Sequence, residues 1–109
     1  MDGRSSGLQL YCVAVTANRQ PPPLPEPLSP LVDAHTHLDA CGAVDAAGVG
    51  AILDRAGAVG VQAVVTIADD LAAAEWAVRA AHWDPRVYAA VALHPTRAGA
   101  LDDGARATI

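Results

Sequence analysis

Residues 61–93 read VQAVVTIADD LAAAEWAVRA AHWDPRVYAA VAL, and this stretch decides the fold. Residues 61–67 are mostly apolar and β-branched, which is typical of a buried strand in a parallel sheet. Residues 71–82 place four apolar side chains on one helical stripe: Leu71, Ala74, Val78 and Ala81. Residues 87–93 form another continuous apolar run, so the order predicted here is strand, helix, strand.

The same alternation extends towards the N-terminus. Leu31 and Val32 begin a short strand that we expect to be buried, and residues 45–59 predict a helix with one apolar stripe: Val49, Ile52, Leu53 and Ala56. Asp45 is a suitable N-cap for this helix, and either Asp69 or Asp70 for the next one. Short connections between alternating strands and helices predict an α/β fold in which right-handed crossovers set three strands in parallel.

Parallel strands bring their C-terminal ends to one edge of the sheet, and this edge collects histidines and carboxylates. His35 and His37 follow the first strand, Asp69 and Asp70 the second, and His94 the third. An i, i+2 spacing in extended chain points both imidazoles of His35 and His37 to the same side. Imidazole is a common ligand of transition metals. The pattern predicts a metal or phosphate site at this rim, with the two aspartates favoured as helix caps over ligands.

The remaining reactive and aromatic residues have simpler interpretations. Cys12 and Cys41 form no CxxC motif, and two reduced thiols in a cytoplasmic protein are the favoured interpretation. A role for Cys41 as a soft metal ligand is the alternative. His82, at the end of a helix, is expected to be solvated, while Trp76 and Trp83 are expected to pack against helices.

Charge and hydropathy exclude some classes of function. The net charge is −5, and all seven basic residues are arginines without a basic run. This acidic balance argues against binding of nucleic acid by broad charge neutralisation, although an enzyme that reaches phosphates through metal ions remains compatible with it. No apolar stretch approaches the length of a membrane span, so we expect a cytoplasmic protein with no membrane partner.

The composition changes at residue 31. Residues 1–30 are expected to be a disordered or extended tail, although residues 8–16 could form a strand. Residues 21–30 hold six of the eight prolines, which indicates an extended polyproline II linker. Residues 31–109 form the structured domain.

Three motifs in that domain resemble a known family. They are Asp-Ala-His-Thr-His-Leu-Asp at 33–39, Gly-Val-Gln-Ala-Val-Val-Thr at 60–66, and Val-Ala-Leu-His-Pro at 91–95. In this order and spacing they resemble the opening of the TatD family of metal-dependent deoxyribonucleases. The resemblance implies the N-terminal portion, about three βα units, of a TIM-type (β/α)8 barrel of the amidohydrolase-like kind. It implies that His35 and His37 are metal ligands and that His94 is a substrate- or phosphate-facing residue.

The activity implied by the resemblance is hydrolysis of phosphodiester bonds in DNA, often from the 3′ end, with a divalent metal ion such as Mg, Mn or Zn. DNA is then the substrate, and no stable protein partner is indicated. The family's other ligands are a later Glu, two further His and an Asp, and these have no counterpart here. Because such a barrel takes roughly 250 residues, we expect an N-terminal fragment that contains no catalytic residue and has no substantial activity alone.

Two alternatives stay open. The first is another amidohydrolase-like, metal-dependent hydrolase that acts on C–N bonds, for which a carboxylated lysine after a middle strand would be diagnostic. The second is a non-enzymatic fragment or interaction module that uses the proline-rich segment.

Overall fold

The computed structural model of the protein describes residues 22–27 and 29–109. Its elements, in chain order, are β1 (Leu31–Thr36), α1 (Ala46–Gly57), β2 (Val61–Ile67), α2 (Leu71–Trp83), β3 (Val87–Ala90), a 3₁₀ helix (Pro95–Ala100) and α3 (Asp103–Thr108). Residues 22–27 are exposed and have no regular secondary structure. The possible strand at 8–16 and Cys12 lie outside the described residues.

The three strands form a parallel sheet in the order β1-β2-β3. Neighbours in sequence are therefore neighbours in the sheet, as short βαβ connections favour. This confirms the predicted alternation and the predicted parallel direction. All three C-terminal strand ends consequently lie along one rim, which positions the residues that follow them.

Aspartate side chains start both long helices. Asp45 Oδ1 accepts a hydrogen bond from the Gly48 amide at 2.8 Å, and Asp70 Oδ1 accepts one from the Ala73 amide at 2.8 Å. Each bond satisfies one amide of a first helical turn that has no intrahelical partner. Asp70 is thus the cap of α2, and Asp69 is left available for other contacts. No helix among the described residues is both long enough and apolar enough to cross a bilayer.

The core lies between the sheet and the two long helices. Val49 and Leu53 of α1 are fully buried, as their spacing predicted. The stripe predicted for α2 was wrong in part, because its buried residues are alanines: Ala74, Ala77 and Ala80. Val78 is 42% exposed. Small side chains let the helix lie close to the sheet, and the larger valine is directed away from that contact.

The prediction that β1 begins as a buried strand was wrong. All of its residues except Thr36 are exposed, and Val32 is 62% exposed. The helix α1 packs on β2, and no described helix covers β1 to a similar extent. On β3, Tyr88 is 60% exposed. The sheet therefore has an open face and two unpaired edges, β1 and β3, within the described part of the chain.

The strand β3 is shorter than predicted, ending at Ala90 rather than at residue 93. Its only described partner, β2, ends at Ile67, and regular pairing ends with it. Two further backbone bonds extend the contact: the Ala68 amide to the Ala90 carbonyl at 3.0 Å, and the His94 amide to the Asp69 carbonyl at 2.8 Å. His94 therefore lies in a connection that is held to the end of β2.

An ion-pair cluster holds the opposite end of the sheet, where β3 begins. The Arg86 guanidinium donates from Nε and Nη2 to the two carboxylate oxygens of Asp84, at 2.9 and 2.7 Å. Its Nη1 donates to Asp54 of α1 at 2.9 Å. The hydrogen bonds from Arg86 hold the pKa of the buried Asp84 below its ordinary value of 3.8. This cluster connects α1, the end of α2 and the start of β3.

Candidate functional site

The rim places the two histidines of the opening motif side by side. The ring centroids of His35 and His37 are 5.3 Å apart, and the ring planes are inclined at 68°. Two nitrogens bound to one zinc ion can be separated by at most about 4.2 Å, twice the metal–nitrogen distance. Because the ring nitrogens lie away from the centroids, the nearest pair of nitrogens can be closer than 5.3 Å, and the separation is compatible with shared coordination. The predicted orientation to one side is confirmed.

His37 has a defined tautomer. Its Nδ1 lies 2.9 Å from the carbonyl oxygen of Ile67, the last residue of β2. Because a carbonyl only accepts hydrogen bonds, Nδ1 carries the proton and donates it. In the neutral ring, Nε2 then has a free lone pair, which is the form that binds a metal. Metal-binding histidines usually donate their second nitrogen in this way, which orients the ring.

The chain on either side of His37 is also held in place. The amide of the next residue, Leu38, donates to Thr66 Oγ1 at 3.3 Å, and both residues are almost fully buried. Before it, the His35 amide donates to Asp33 Oδ1 at 3.1 Å. The His-x-His segment is therefore fixed to β2 by Thr66 and by the Ile67 carbonyl. Such support from a neighbouring strand is what a preorganised ligand needs.

Asp69, which follows β2, lies close to residues at the ends of both β1 and β3. The sequence favoured Asp69 as a helix cap and did not indicate this linking position. Its Oδ2 lies 3.9 Å from His37 Nδ1, and its backbone carbonyl accepts the His94 amide. The carboxylate is too far from Nδ1 for a hydrogen bond, so its effect on the ring is electrostatic. Asp69 therefore links the histidine pair of β1 with the histidine that follows β3.

His94 has the opposite tautomer to His37. Its Nδ1 accepts from the Thr96 amide at 3.2 Å and lies 2.8 Å from Thr96 Oγ1. A backbone N–H only donates, so Nδ1 is the unprotonated nitrogen, and in the neutral ring Nε2 carries the proton. Neither nitrogen of His94 then offers a free lone pair to a metal. Nε2–H is instead a donor, suited to an acceptor such as a phosphate oxygen.

The other candidates do not join this group. Cys41 is exposed, and His82 is an exposed residue of the last turn of α2. Trp76 packs against the core and meets Trp83 edge-to-face, with centroids 6.1 Å apart. Within residues 22–27 and 29–109, no three His, Cys, Asp or Glu side chains are grouped closely enough to hold a metal.

Three contributors to the site were missed from the sequence. The Ile67 carbonyl, which selects the His37 tautomer, is a backbone group that no residue pattern reveals. Thr96 and Arg97 follow the His-Pro motif, and both lie in the cleft beside His94. Their closeness to His94 along the chain was the available signal.

Comparison with known proteins agrees with the motifs. The family described as TatD related DNase matches residues 32–109, and the chain belongs to this family. The chain is 68% identical over 79 residues to the "Uncharacterized metal-dependent hydrolase TatD" of Mycobacterium tuberculosis (strain ATCC 25618 / H37Rv). That match covers 72% of this chain and 30% of the relative. The chain thus spans less than a third of the curated relative. No solved structure matches it.

Proposed function

We propose that this chain contributes to a divalent-metal-dependent hydrolase that cleaves phosphodiester bonds in DNA. Membership of the family supports the reaction class. The observation that supports the metal site is the tautomer of His37. With Nδ1–H donated to the Ile67 carbonyl, Nε2 is available beside His35. In this proposal His35 and His37 hold the ion, and His94 faces the substrate phosphate.

The residues present fit a metal in part. Two neighbouring imidazoles, one of them in a metal-binding tautomer, suit Zn or a related transition-metal ion. A catalytic zinc site normally has three protein ligands. The described residues provide two at this place, so we expect weak binding by the chain alone. A bound ion would supply Lewis-acid stabilisation of phosphate charge and help to deprotonate water.

The chain's own residues perform the remaining tasks. The Ile67 carbonyl and Thr66 orient His37, and Thr96 orients His94. From Nε2–H, His94 donates a hydrogen bond to a phosphate oxygen and so helps to place the ester. A positioned donor aimed at an oxyanion lowers the barrier by stabilising charge that develops in the transition state.

We also propose that β1, β2 and β3 are the first three strands of a (β/α)8 barrel. Their parallel order and aligned C-terminal ends support this, because barrel enzymes place their sites at that face. The exposed Val32 and Tyr88 support it as well, since a barrel interior would cover an open apolar face.

The experiment is a calorimetric titration of the chain with Zn²⁺ and with Mn²⁺. We expect one weak site whose affinity falls about tenfold or more in His37→Gln, because one of two ligands is lost. His82→Gln is the matched control, since His82 also places Nδ1 against a backbone carbonyl, that of Val78 at 2.8 Å, at an exposed position of α2. Equal binding by His37→Gln and the unaltered chain would exclude the proposed ligand.

A second assay addresses the substrate. The chain is incubated with 3′-labelled single-stranded DNA and Mg²⁺, Mn²⁺ or Zn²⁺. We expect no substantial cleavage by this chain alone, because two ligands cannot hold a catalytic pair of ions. Degradation of DNA that disappears in His35→Ala would support the assigned ligand but show that a partial barrel is sufficient.

A further inference from the structure

A small cleft lies on the rim beside the histidine that follows β3. Its volume is about 200 Å³, and it is lined by Asp69, His94, Thr96 and Arg97. On the same measure one water molecule needs about 10–15 Å³, so the cleft has room for a small group such as phosphate. Two of the four lining side chains, His94 through Nε2–H and Arg97 through its guanidinium, have hydrogen-bond donors left for a ligand, which favours an anionic one.

Arg97 is the least explained of these residues. It lines this cleft and an adjoining one that also contains Asp39 and Asp70. Nevertheless, its guanidinium makes no salt bridge with any carboxylate in the described part of the chain, where the ion pairs involve His37 and Arg86. Guanidinium groups match phosphate oxygens in charge and geometry. An uncommitted guanidinium in a cleft with another donor is suited to bind a phosphate.

We propose that Arg97 and His94 bind one phosphate group of a nucleic-acid strand in this cleft, with Thr96 as a positioning residue. The choice of a nucleic-acid phosphate rests on the proposed function. In the arrangement described above, Thr96 occupies Nδ1 of His94 and leaves Nε2–H as the donor. Arg97 adds a positive charge that His94, in its neutral form, does not supply.

Asp69 sets the expected strength of binding. Its carboxylate lines the same cleft and lies 3.9 Å from His37. A negative charge at this place opposes an anion when no cation is bound nearby. We therefore expect weak binding of free phosphate by the metal-free chain, and tighter binding by Asp69→Asn.

The test is a titration of the metal-free chain with inorganic phosphate, followed by NMR at the side-chain nitrogens of Arg97 and His94. In Arg97→Gln the phosphate affinity should fall about tenfold, the loss of one charge-assisted contact at an exposed site. Arg79→Gln and Arg55→Gln remove the same charge, from the adjoining cleft and from α1 respectively, and should change affinity less than twofold. Equal weakening in all three variants would show unspecific attraction and overturn the proposal, as would unchanged binding in Arg97→Gln.

The positioning role of Thr96 needs its own variants. Thr96→Val removes the hydroxyl and should weaken phosphate binding and change the His94 ring-nitrogen signals in the free protein, while Thr96→Ser should restore both. Because Thr96 is exposed, neither variant should alter the unfolding midpoint. A Thr96→Val protein with unchanged His94 signals and unchanged binding would refute this role.

A further experiment distinguishes a phosphate of a nucleic-acid strand from free inorganic phosphate. A deoxydinucleotide with one internal phosphodiester and no terminal phosphate should bind with the same dependence on Arg97. Binding of inorganic phosphate without binding of the dinucleotide would contradict the assignment to a strand. Since these measurements use no metal, they can succeed even if His37→Gln leaves metal binding intact and the proposed metal centre fails.

Discussion

The two carboxylates bound by Arg86 should differ sharply in what they contribute to stability. The Asp84 side chain is 10% exposed and receives two guanidinium hydrogen bonds, whereas the Asp54 side chain is 75% exposed and receives one. In Asp84→Asn, an amide NH₂ would face Nη2 of Arg86, at a place where the present separation is 2.7 Å. Two donors would then oppose each other, and the charge of the pair would be lost.

The loss in free energy of unfolding depends on how deeply each carboxylate is buried. Removal of one partner of a buried ion pair typically costs about 3–5 kcal/mol. The Arg86 side chain is 34% exposed and keeps Asp54, so we expect about 2–3 kcal/mol for Asp84→Asn. The exposed pair contributes about 0–1 kcal/mol, so Asp54→Asn should cost little. A gap of about 2 kcal/mol corresponds to about a thirtyfold difference in the folding equilibrium.

Urea unfolding followed by circular dichroism measures the free energy of unfolding of both variants. The dependence of that free energy on pH provides a second check. Because the pKa of Asp84 is lower in the folded chain than in the unfolded chain, its contribution is present above about pH 4 and is lost as the pH falls through the folded-state pKa. The stability gap between the unaltered chain and Asp84→Asn should therefore narrow in acid. Equal costs for the two variants at pH 7, or a gap that widens in acid, would refute the reasoning.

Three further predictions concern the core and the rim. Thr66→Val should cost about 1–2 kcal/mol in urea unfolding, because the buried amide that follows His37 loses its acceptor; Thr66→Ser keeps the acceptor and should retain metal affinity. Leu53→Ala should cost about 2–5 kcal/mol because Leu53 is fully buried, whereas Val78→Ala at an exposed site should cost less than about 1 kcal/mol. Zn²⁺ at about a hundred times its Kd should stabilise the folded chain by about 2.7 kcal/mol, which thermal unfolding would show as a higher melting temperature. A combined His35→Gln, His37→Gln variant should show no such rise when Zn²⁺ is added.

Local patterns were sufficient for the elements and for much of the site. The β-branched run at Val61–Ile67 predicted β2, and an aspartate before each apolar helical stripe predicted both helix starts. Short connections predicted parallel strands, which made it possible to place His35, His37 and His94 along one rim. These features depend on residues that are close together in the chain, so they can be predicted from the sequence.

Contacts between elements were not accessible in the same way. The exposure of β1 depends on which strand α1 covers, and the end of β3 depends on where β2 stops. The choice between Asp69 and Asp70 as helix cap needed the chain direction after β2. The buried alanine face of α2 could not be predicted from apolar spacing, because the closeness of helix and sheet selects small residues over larger ones.

The amino-acid sequence by itself thus determined the order of strands and helices, the family and the histidines that carry the proposed chemistry. The tertiary structure alone decided the protonation of those histidines. His37 has its lone pair on Nε2 because the Ile67 carbonyl, thirty residues away, accepts the proton on Nδ1. His94 has its proton on Nε2 because the Thr96 amide donates to Nδ1. A tautomer depends on the hydrogen-bond partner that the fold brings to each nitrogen, and residue identity does not specify that partner.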